Sequence, residues 1–205
     1  MTGFRRGNRP VPPQLRSWLQ SIVSTPGLTA IRDLEQARVT LLEDSLRGVE
    51  VVRTFPGSIV DVGSGGGVPG IPLAWALPER EVTLLEASER KCGFLERWTE
   101  AFPNLRVVWG RAEEQDADTY GAAVAKALAP PAVAAEWCLP LVRPDGAAIL
   151  WVGPSADAEA VGRVAGLLGG GPVEDAGGLL VLRKVAPTPA GFPRRAGIAR
   201  KRPLA

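Results

Sequence analysis

The stretch DVGSGGGVPGIPLAWALPE at residues 61–79 decides the fold of this chain. A short apolar run leads into it, close-set glycines follow, and the pattern then becomes helical. A strand, a glycine-rich turn and a helix in this order begin many ligand-binding α/β sheets. Gly63, Gly65 and Gly67 permit positive φ and carry no Cβ that would hold a ligand away. We therefore predict that a ligand approaches the backbone at this turn.

Outward from this turn, apolar runs and helical patterns alternate. Strands are predicted at 58–62, 82–86, 105–109, 121–125 and 147–152, and helices at 69–77, 89–101, 130–141 and 155–168. Because the strands are continuously apolar, the sheet should be parallel and covered by helices on both faces. PVEDAGGLLVLRKV at 172–185 predicts an antiparallel finish around Gly177 and Gly178. The fold class is thus an open, doubly wound, mostly parallel α/β sheet of Rossmann-like type with an antiparallel terminal strand.

The chain before the sheet predicts an annex of two helices. The first has an apolar stripe, and the second spans about 33–47. The stripe residues are Leu15, Trp18, Leu19 and Ile22 in the first helix, and Leu34, Ala37, Leu41, Leu42 and Leu46 in the second. We divide the chain into an N-terminal helical extension (1–57), a core (58–186) and a basic C-terminal tail (187–205). Trp75, Trp98, Trp109, Trp137 and Trp151 lie in predicted strands or helices and are expected in the core.

Composition excludes several classes of protein. The chain has 205 residues and no histidine, and its two cysteines, Cys92 and Cys138, are far apart. A disulfide framework, a metal site and histidine-based acid–base catalysis are therefore not expected. No apolar stretch approaches the ~18 residues of a membrane span, and no apolar segment follows the basic N-terminus as in a signal peptide. We expect a reducing, cytoplasmic location and no membrane association.

Positive charge is concentrated at the two ends of the chain. Residues 1–32 carry five arginines and no acid, and residues 176–205 carry seven Lys or Arg and no acid. The 24 basic residues minus these 12 leave 12 against 22 acids in 33–175, a net charge of −10. An acidic body with basic ends suits a partner rich in phosphate. Basic ends that only aid solubility remain the alternative.

The charged residues near the glycine turn discriminate between its possible ligands. There is no Gly-Lys-Ser/Thr sequence to cradle a triphosphate. Glu86, at the end of the second predicted strand, would bind ribose hydroxyls in a dinucleotide or in S-adenosylmethionine. Asp61 would repel a pyrophosphate but attract the ammonium of a methionine group, by about 1–4 kcal/mol at ~4 Å. The sequence therefore favours S-adenosylmethionine as the cofactor.

Six motifs in chain order carry a family resemblance. They are DVGSGGGVPGIPLA, VTLLEASERKCGFLER, GRAEE, AKALAPP, LPLVRPDG and FPRRAGIARKRPL. In this order they resemble the RsmG (GidB) family, methyltransferases that modify N7 of a guanine in bacterial small-subunit (16S) ribosomal RNA. The resemblance covers most of the chain, from about residue 28 to the end. It implies a class I methyltransferase fold, S-adenosylmethionine as cofactor and small-subunit ribosomal RNA or the 30S subunit as partner. We expect a monomer.

Residue by residue, the resemblance implies that Gly63 and Val68 line the cofactor pocket and that Glu86 binds the ribose. Ala112 and Glu113 of GRAEE would meet the adenine, as a backbone amide and an acceptor. The full set predicted for the cofactor is Asp61, Gly63, Gly65, Val68, Glu86, Ala112, Glu113 and Lys126.

Three polar positions of the family are altered in this chain. Leu41 stands where the family commonly has a histidine, Lys126 where it has an arginine, and Val152 where it often has a lysine. These changes leave open a second hypothesis, a non-catalytic RNA-binding protein that retains a cofactor pocket. A nicotinamide-dependent oxidoreductase, suggested by the glycines and Glu86, is the third.

Methylation at guanine N7 requires no catalytic base. N7 has an in-plane lone pair and no hydrogen, so the enzyme only has to align the reactants and exclude water. We therefore predict no catalytic side chain. The basic ends should bind phosphates around an unpaired base. Removing the residues after Pro189 should weaken RNA binding and leave cofactor affinity nearly unchanged.

Overall fold

The computed structural model describes residues 11–205, and the N-terminal arginines Arg5, Arg6 and Arg9 lie outside this range. Seven strands within it form one sheet. They are β1 (Ile59–Val62), β2 (Val82–Glu86), β3 (Leu105–Trp109), β4 (Tyr120–Lys126), β5 (Val142–Trp151), β6 (Gly170–Asp175) and β7 (Leu179–Lys184).

The order of the strands across the sheet is β3-β2-β1-β4-β5-β7-β6. The four pairings among β1 to β5 are parallel, whereas β7 runs antiparallel to both β5 and β6. The direction of winding reverses between β1 and β4, which is where an open α/β sheet binds its ligands. The predicted fold class, including the antiparallel finish, is confirmed.

Helices cover both faces of the sheet and precede it. Their bounds are α1 (Pro13–Ser24), α2 (Leu34–Ala37), α3 (Asp44–Leu46), α4 (Val49–Arg53), α5 (Gly70–Ala76), α6 (Glu89–Glu96), α7 (Pro131–Cys138), α8 (Ala158–Leu167) and α9 (Ile198–Lys201). A π-helical segment, Arg38–Glu43, joins α2 to α3, and 3₁₀ turns span Ala112–Glu114 and Leu139–Leu141. No helix of the described range is both long enough and apolar enough to cross a bilayer.

Two apolar clusters lie on opposite faces of the sheet. Trp18 of α1, Ile71 of α5 and Phe94 of α6 belong to one cluster. Val133 of α7 and Val161 of α8 belong to the other. Side chains of successive residues in each strand point to opposite faces, so a strand needs apolar residues throughout to serve both clusters.

The second predicted helix, over 33–47, is not a regular α-helix. It is π-helical over Arg38–Glu43, and the extra residue in this turn shifts the apolar stripe. Ala37, Leu42 and Leu46 are buried, but Leu34 is 44% exposed, contrary to the expected stripe. The sequence also missed α4, which follows directly after Gly48.

Other differences concern the ends of elements and one tryptophan. The helix predicted over 89–101 ends at Glu96, β5 begins at Val142 instead of 147, and β6 already begins at Gly170. Trp109 is 64% exposed because β3 is the edge strand of the sheet and Trp109 is its last residue. The expectation that Trp109 lies in the core is therefore wrong.

Candidate functional site

A cavity of about 300 Å³ opens at the carboxyl ends of β1, β2 and β4. Four of the eight residues predicted for the cofactor line it: Gly63, Glu86, Ala112 and Glu113. The lining carries charges of both signs, because Lys91, Arg111 and Arg200 join the two acids there. This position at the reversal of winding is the one that the fold class predicts for a ligand.

Glu86 is the acid that organises the cavity wall. It is 7% exposed, and each of its carboxylate oxygens accepts one backbone N–H. One oxygen accepts from Gly65 at 2.9 Å and the other from Ser88 at 2.8 Å. A carboxylate oxygen can accept more than one hydrogen bond, so Glu86 keeps acceptor capacity toward the cavity.

The glycine turn is held in place from two sides. The amides of Gly63 and Ser64 donate to the carbonyl of Leu85 at 2.8 and 3.1 Å, which joins the turn to β2. From the opposite side, the indole Nε1 of Trp18 donates to the carbonyl of Gly66 at 2.8 Å. Sequence reasoning placed Trp18 on an apolar stripe and named it as a candidate for base stacking, and it missed this contact. The N-terminal annex therefore supports the ligand-binding turn.

Asp61 does not line the cavity. Its side chain has no exposed surface, and Oδ2 accepts a hydrogen bond from the amide of Gly70 at 3.0 Å. A Cβ at Gly70 would lie 2.6 Å from that oxygen, so this close approach needs glycine. Burial raises the pKa of Asp61 to about 7, and the nearby charge of Glu86 contributes to the increase. The expected contact with a ligand ammonium is therefore corrected, because Asp61 fastens the start of α5 to β1.

Gly65 and Val68 also lie behind the cavity wall. Gly65 contributes the amide that Glu86 binds, and its positive φ of 59° is readily adopted by glycine. Val68 is partly buried against the apolar cluster of the α1 face. Both residues shape the turn that borders the cavity, and neither is among the residues that line it.

Glu113 connects the cavity to the C-terminal segment. Its Oε1 accepts a hydrogen bond from the amide of Gly197 at 3.0 Å, and both residues line the cavity. Ala112, the preceding residue, is buried in the 3₁₀ turn at the same wall. The predicted roles of Ala112 and Glu113 toward adenine stay predictions.

A second cavity, of about 440 Å³, adjoins the first. Lys126, at the end of β4, lines this second cavity rather than the first. Its Nζ lies 2.8 Å from a carboxylate oxygen of Asp44 and donates to the carbonyl of Thr40 in the π-helical segment. Arg47 pairs with the other oxygen of Asp44 at 2.8 Å. Ala127 lines both cavities.

The three positions at which the chain departs from the family lie in different surroundings. Lys126 and Val152 both line the second cavity, whereas Leu41 is packed against the apolar cluster of the α1 face. The aromatic wall of the second cavity is Trp151, which pairs with Lys126 in the register of β4 and β5. Its Nε1 donates to the carbonyl of Asp44 at 2.9 Å.

The C-terminal segment, residues 186–205, is fastened to the body by acids; we call it the strap. At its start, the buried ammonium of Lys184 donates to Asp118 at 3.1 Å and to the hydroxyl of Thr188 at 2.6 Å. Burial lowers the pKa of Lys184. The amide of Thr188 also donates to Asp118, at 3.1 Å. These bonds fix the direction in which the strap leaves β7.

Farther along, the strap reaches the first cavity. Arg194 makes a two-pronged pair with Glu136 of α7, at 2.6 and 2.7 Å, and Glu136 is only 3% exposed. Gly197 and Arg200 then line the cavity, and the guanidinium of Arg200 lies 5.3 Å from the ring centre of Trp137. Removing the residues after Pro189 would take Gly197 and Arg200 out of the cavity wall, which argues against the expectation that cofactor affinity stays nearly unchanged.

Metal-binding and nucleophilic groups are not gathered at either cavity. Among residues 11–205, no group of three or more His, Cys, Asp or Glu has an arrangement that could hold a metal ion. Cys92 and Cys138 are buried, and burial raises the pKa of both thiols.

The sheet order and the cavity at the strand ends define a class I, Rossmann-like methyltransferase fold. Two solved structures have this fold. The CMeT domain of the citrinin polyketide synthase has a TM-score of 0.58 at 13% identity, covering 83% of this chain and 60% of that one. The antibiotic-resistance methyltransferase Kmr has a TM-score of 0.50 at 17% identity, covering 66% of this chain and 89% of that one.

Sequence comparison then identifies the family. The family described as rRNA small subunit methyltransferase G (GidB) matches residues 14–166. The ribosomal RNA small subunit methyltransferase G of Pelotomaculum thermopropionicum is 38% identical over 200 residues, 86% of this chain and 82% of that protein. Its counterpart from Synechococcus sp. (strain JA-3-3Ab) is 35% identical over 217 residues, 93% and 83% of the two chains. The chain belongs to the rRNA small subunit methyltransferase G family, as the sequence motifs predict.

Proposed function

We propose that this protein transfers a methyl group from S-adenosylmethionine to N7 of a guanine in small-subunit (16S) ribosomal RNA. Membership of the rRNA small subunit methyltransferase G family supports the reaction class and the RNA substrate. The observation that carries the location of the reaction is Ala127, which lines both cavities. A donor in the first cavity and a base in the second would meet at this residue.

The first cavity fits S-adenosylmethionine. Its lining holds acids and cations together, which suits the amino-acid end of the cofactor better than a diphosphate. Glu86 would accept hydrogen bonds from the ribose hydroxyls, and Ala112 and Glu113 would bind the adenine. When bound, the cofactor supplies a methyl group already activated on a sulfonium.

The second cavity fits a guanine base. On guanine, the O6 acceptor and the N1–H donor are neighbours, and in the cavity the ammonium of Lys126 and the carboxylate of Asp44 are neighbours at 2.8 Å. Lys126 would donate to O6 while Asp44 accepts from N1–H. The ring of Trp151 would contribute an aromatic wall to the same cavity.

For this reaction the protein has to position the methyl donor and the base relative to each other. N7 attacks through its own lone pair and loses no proton, so no general base is required. The site supplies alignment and a water-poor environment. Lys126 and Arg47 both pair with Asp44, so this carboxylate is not left unpaired before the base enters.

The RNA around the target base would be held by the cations of the strap. Lys201, the last residue of α9, and Arg202, which follows it, are exposed next to the cavity, where they can bind phosphates. Sequence-specific proteins bind RNA mostly where bases are unpaired, which fits a base turned into the second cavity. We further propose a cytoplasmic monomer with the catalytic core in residues 58–186, supported by the N-terminal annex and the strap.

The test is methyl transfer to small ribosomal subunits and to free 16S RNA from cells that lack the modification. Transfer of labelled methyl to guanine N7, found by cleavage at 7-methylguanosine, is the expected result. Asp44→Asn should lower turnover by about tenfold or more and leave S-adenosylhomocysteine binding unchanged. Glu50→Gln, an exposed carboxyl change on α4, should leave both unchanged. Cofactor binding with no turnover on any RNA would instead establish the non-catalytic alternative.

A further inference from the structure

The strap places a backbone donor directly on an acid of the first cavity. Gly197 has φ +81°, and its amide donates to Oε1 of Glu113 at 3.0 Å. The neighbouring acid, Glu114, is fixed by a bond of its own, because its Oε2 accepts from the amide of Arg111 at 3.1 Å. The amide of Gly197 limits the carboxylate of Glu113 to one side-chain position in the same way.

The amide of Gly197 is fixed because the strap is anchored three residues earlier in the sequence, at Arg194. The Arg194–Glu136 pair has two parallel N–H···O bonds, and its carboxylate is 3% exposed, so water screens it little. The same guanidinium also donates to the carbonyl of Arg202 at 2.9 Å, which closes the strap on itself around α9. Arg194 is therefore tied to Glu113 only through the backbone of residues 195–197.

We propose that Arg194 is a positioning residue whose anchor makes the strap hold Glu113 in the orientation that recognises the adenine amino group of the cofactor. The proposal rests on the proposed function, since it takes S-adenosylmethionine as the ligand of the first cavity. Oε1 of Glu113 is occupied by Gly197, which leaves Oε2 to accept from the 6-amino group. Without the anchor, Glu113 loses its fixed direction and the cavity loses its selectivity for adenine.

The experiment compares two ligands by calorimetry, S-adenosylhomocysteine and S-inosylhomocysteine, in which an oxo group replaces the 6-amino group. The wild-type protein should prefer S-adenosylhomocysteine by about tenfold or more, as for a hydrogen bond to a charged acceptor. Arg194→Ala should remove most of this preference by weakening S-adenosylhomocysteine alone. Arg195→Ala is the matched control, because it removes one positive charge from the exposed neighbour and should keep the preference.

Three further variants separate positioning from folding. Arg194→Ala combined with Glu136→Ala removes the anchor without leaving a buried carboxylate unpaired, and it should lose the preference to the same extent. Glu113→Gln should also lose it, and adding Arg194→Ala to Glu113→Gln should change nothing further, because Arg194 acts through Glu113. Thermal unfolding of each variant verifies that it is folded.

The outcomes distinguish this proposal from the function on which it rests. The folded variant that combines Arg194→Ala with Glu136→Ala decides between the outcomes. If it loses affinity equally for both ligands, the strap lines the cavity without positioning Glu113. If it keeps the preference for S-adenosylhomocysteine, the anchor at Arg194 does not position Glu113. Either result overturns the proposal while S-adenosylhomocysteine binding by the wild-type protein upholds the proposed function. A wild-type protein that binds neither ligand overturns both.

Discussion

Replacing Asp61 by Asn isolates the effect of a carboxyl group buried at the end of β1. Burial raises the pKa of Asp61 from its ordinary 3.8 to about 7 in the folded protein. Below pH 3.8 the group is neutral in the folded and unfolded chains alike. As the pH rises toward 7, the unfolded chain releases this proton while the folded chain keeps it, so stability falls; above pH 7 the loss is complete and constant.

The size of the effect follows from the two pKa values. At about 1.4 kcal/mol for each pKa step, the full loss is about 4 kcal/mol, of which roughly 1.5 kcal/mol is reached at pH 5. Asn has no proton to lose, and its oxygen can still accept from Gly70. The amide nitrogen of Asn would occupy the position of Oδ1, which has no hydrogen-bond partner among the described residues. Burying this nitrogen without a partner should lower the free energy of unfolding by about 1–3 kcal/mol at every pH.

Asp61→Asn should therefore be about as stable as the wild type at pH 5 and more stable than it at pH 8. The free energy of unfolding is measured at both pH values by urea unfolding followed with tryptophan fluorescence. The difference between Asp61→Asn and the wild type should move in favour of the variant by roughly 2.5 kcal/mol from pH 5 to pH 8. Glu50→Gln, on the surface, provides the control. A difference that is the same at both pH values, or that favours Asn in acid, would refute the buried, protonated carboxyl group. Affinity for S-adenosylhomocysteine should change less than about threefold, because Asp61 does not line the cavity.

Other substitutions test the two cavities. Glu86→Gln should weaken S-adenosylhomocysteine about tenfold or more in calorimetry, since it removes a charged acceptor from the cavity wall. Lys126→Met should lower methyl transfer in the RNA assay and leave cofactor affinity unchanged, because it removes one of the two cations that pair with Asp44 in the second cavity. Gly63→Ala should lower the free energy of unfolding by about 1–3 kcal/mol in urea, because φ is +69° and the new Cβ would lie 2.3 Å from Leu128.

The sheet was predictable because each strand is marked in the sequence by its own apolar run. Continuous apolar runs at regular intervals reflect burial on both faces, and the structure keeps each within a few residues of its predicted bounds, apart from the early start of β5. The π-helical segment was not predictable, because nothing in the apolar pattern of 33–47 marks an inserted residue. Within this segment the carbonyl of Thr40 accepts a hydrogen bond from the ammonium of Lys126, which is distant in the sequence.

The candidate site was predicted in part. Gly63 and Glu86 follow from their place at strand ends, where topology alone brings them to one edge of the sheet. Asp61 shares that place, but alternation along β1 turns its side chain to the α5 face, and the sequence argument weighed its charge without its direction. Trp18 and Gly197 come from outside the sheet, and their hydrogen bonds span 48 and 84 residues of sequence.

The place of Gly197 and Arg200 in the cavity wall has a consequence for synthesis. A ribosome makes these two residues after all seven strands, and the strap from 186 onward leaves the exit tunnel after the sheet. A nascent chain could complete its β-structure and still have an open donor cavity. The protein would then become able to transfer a methyl group only when α9 packs against α7.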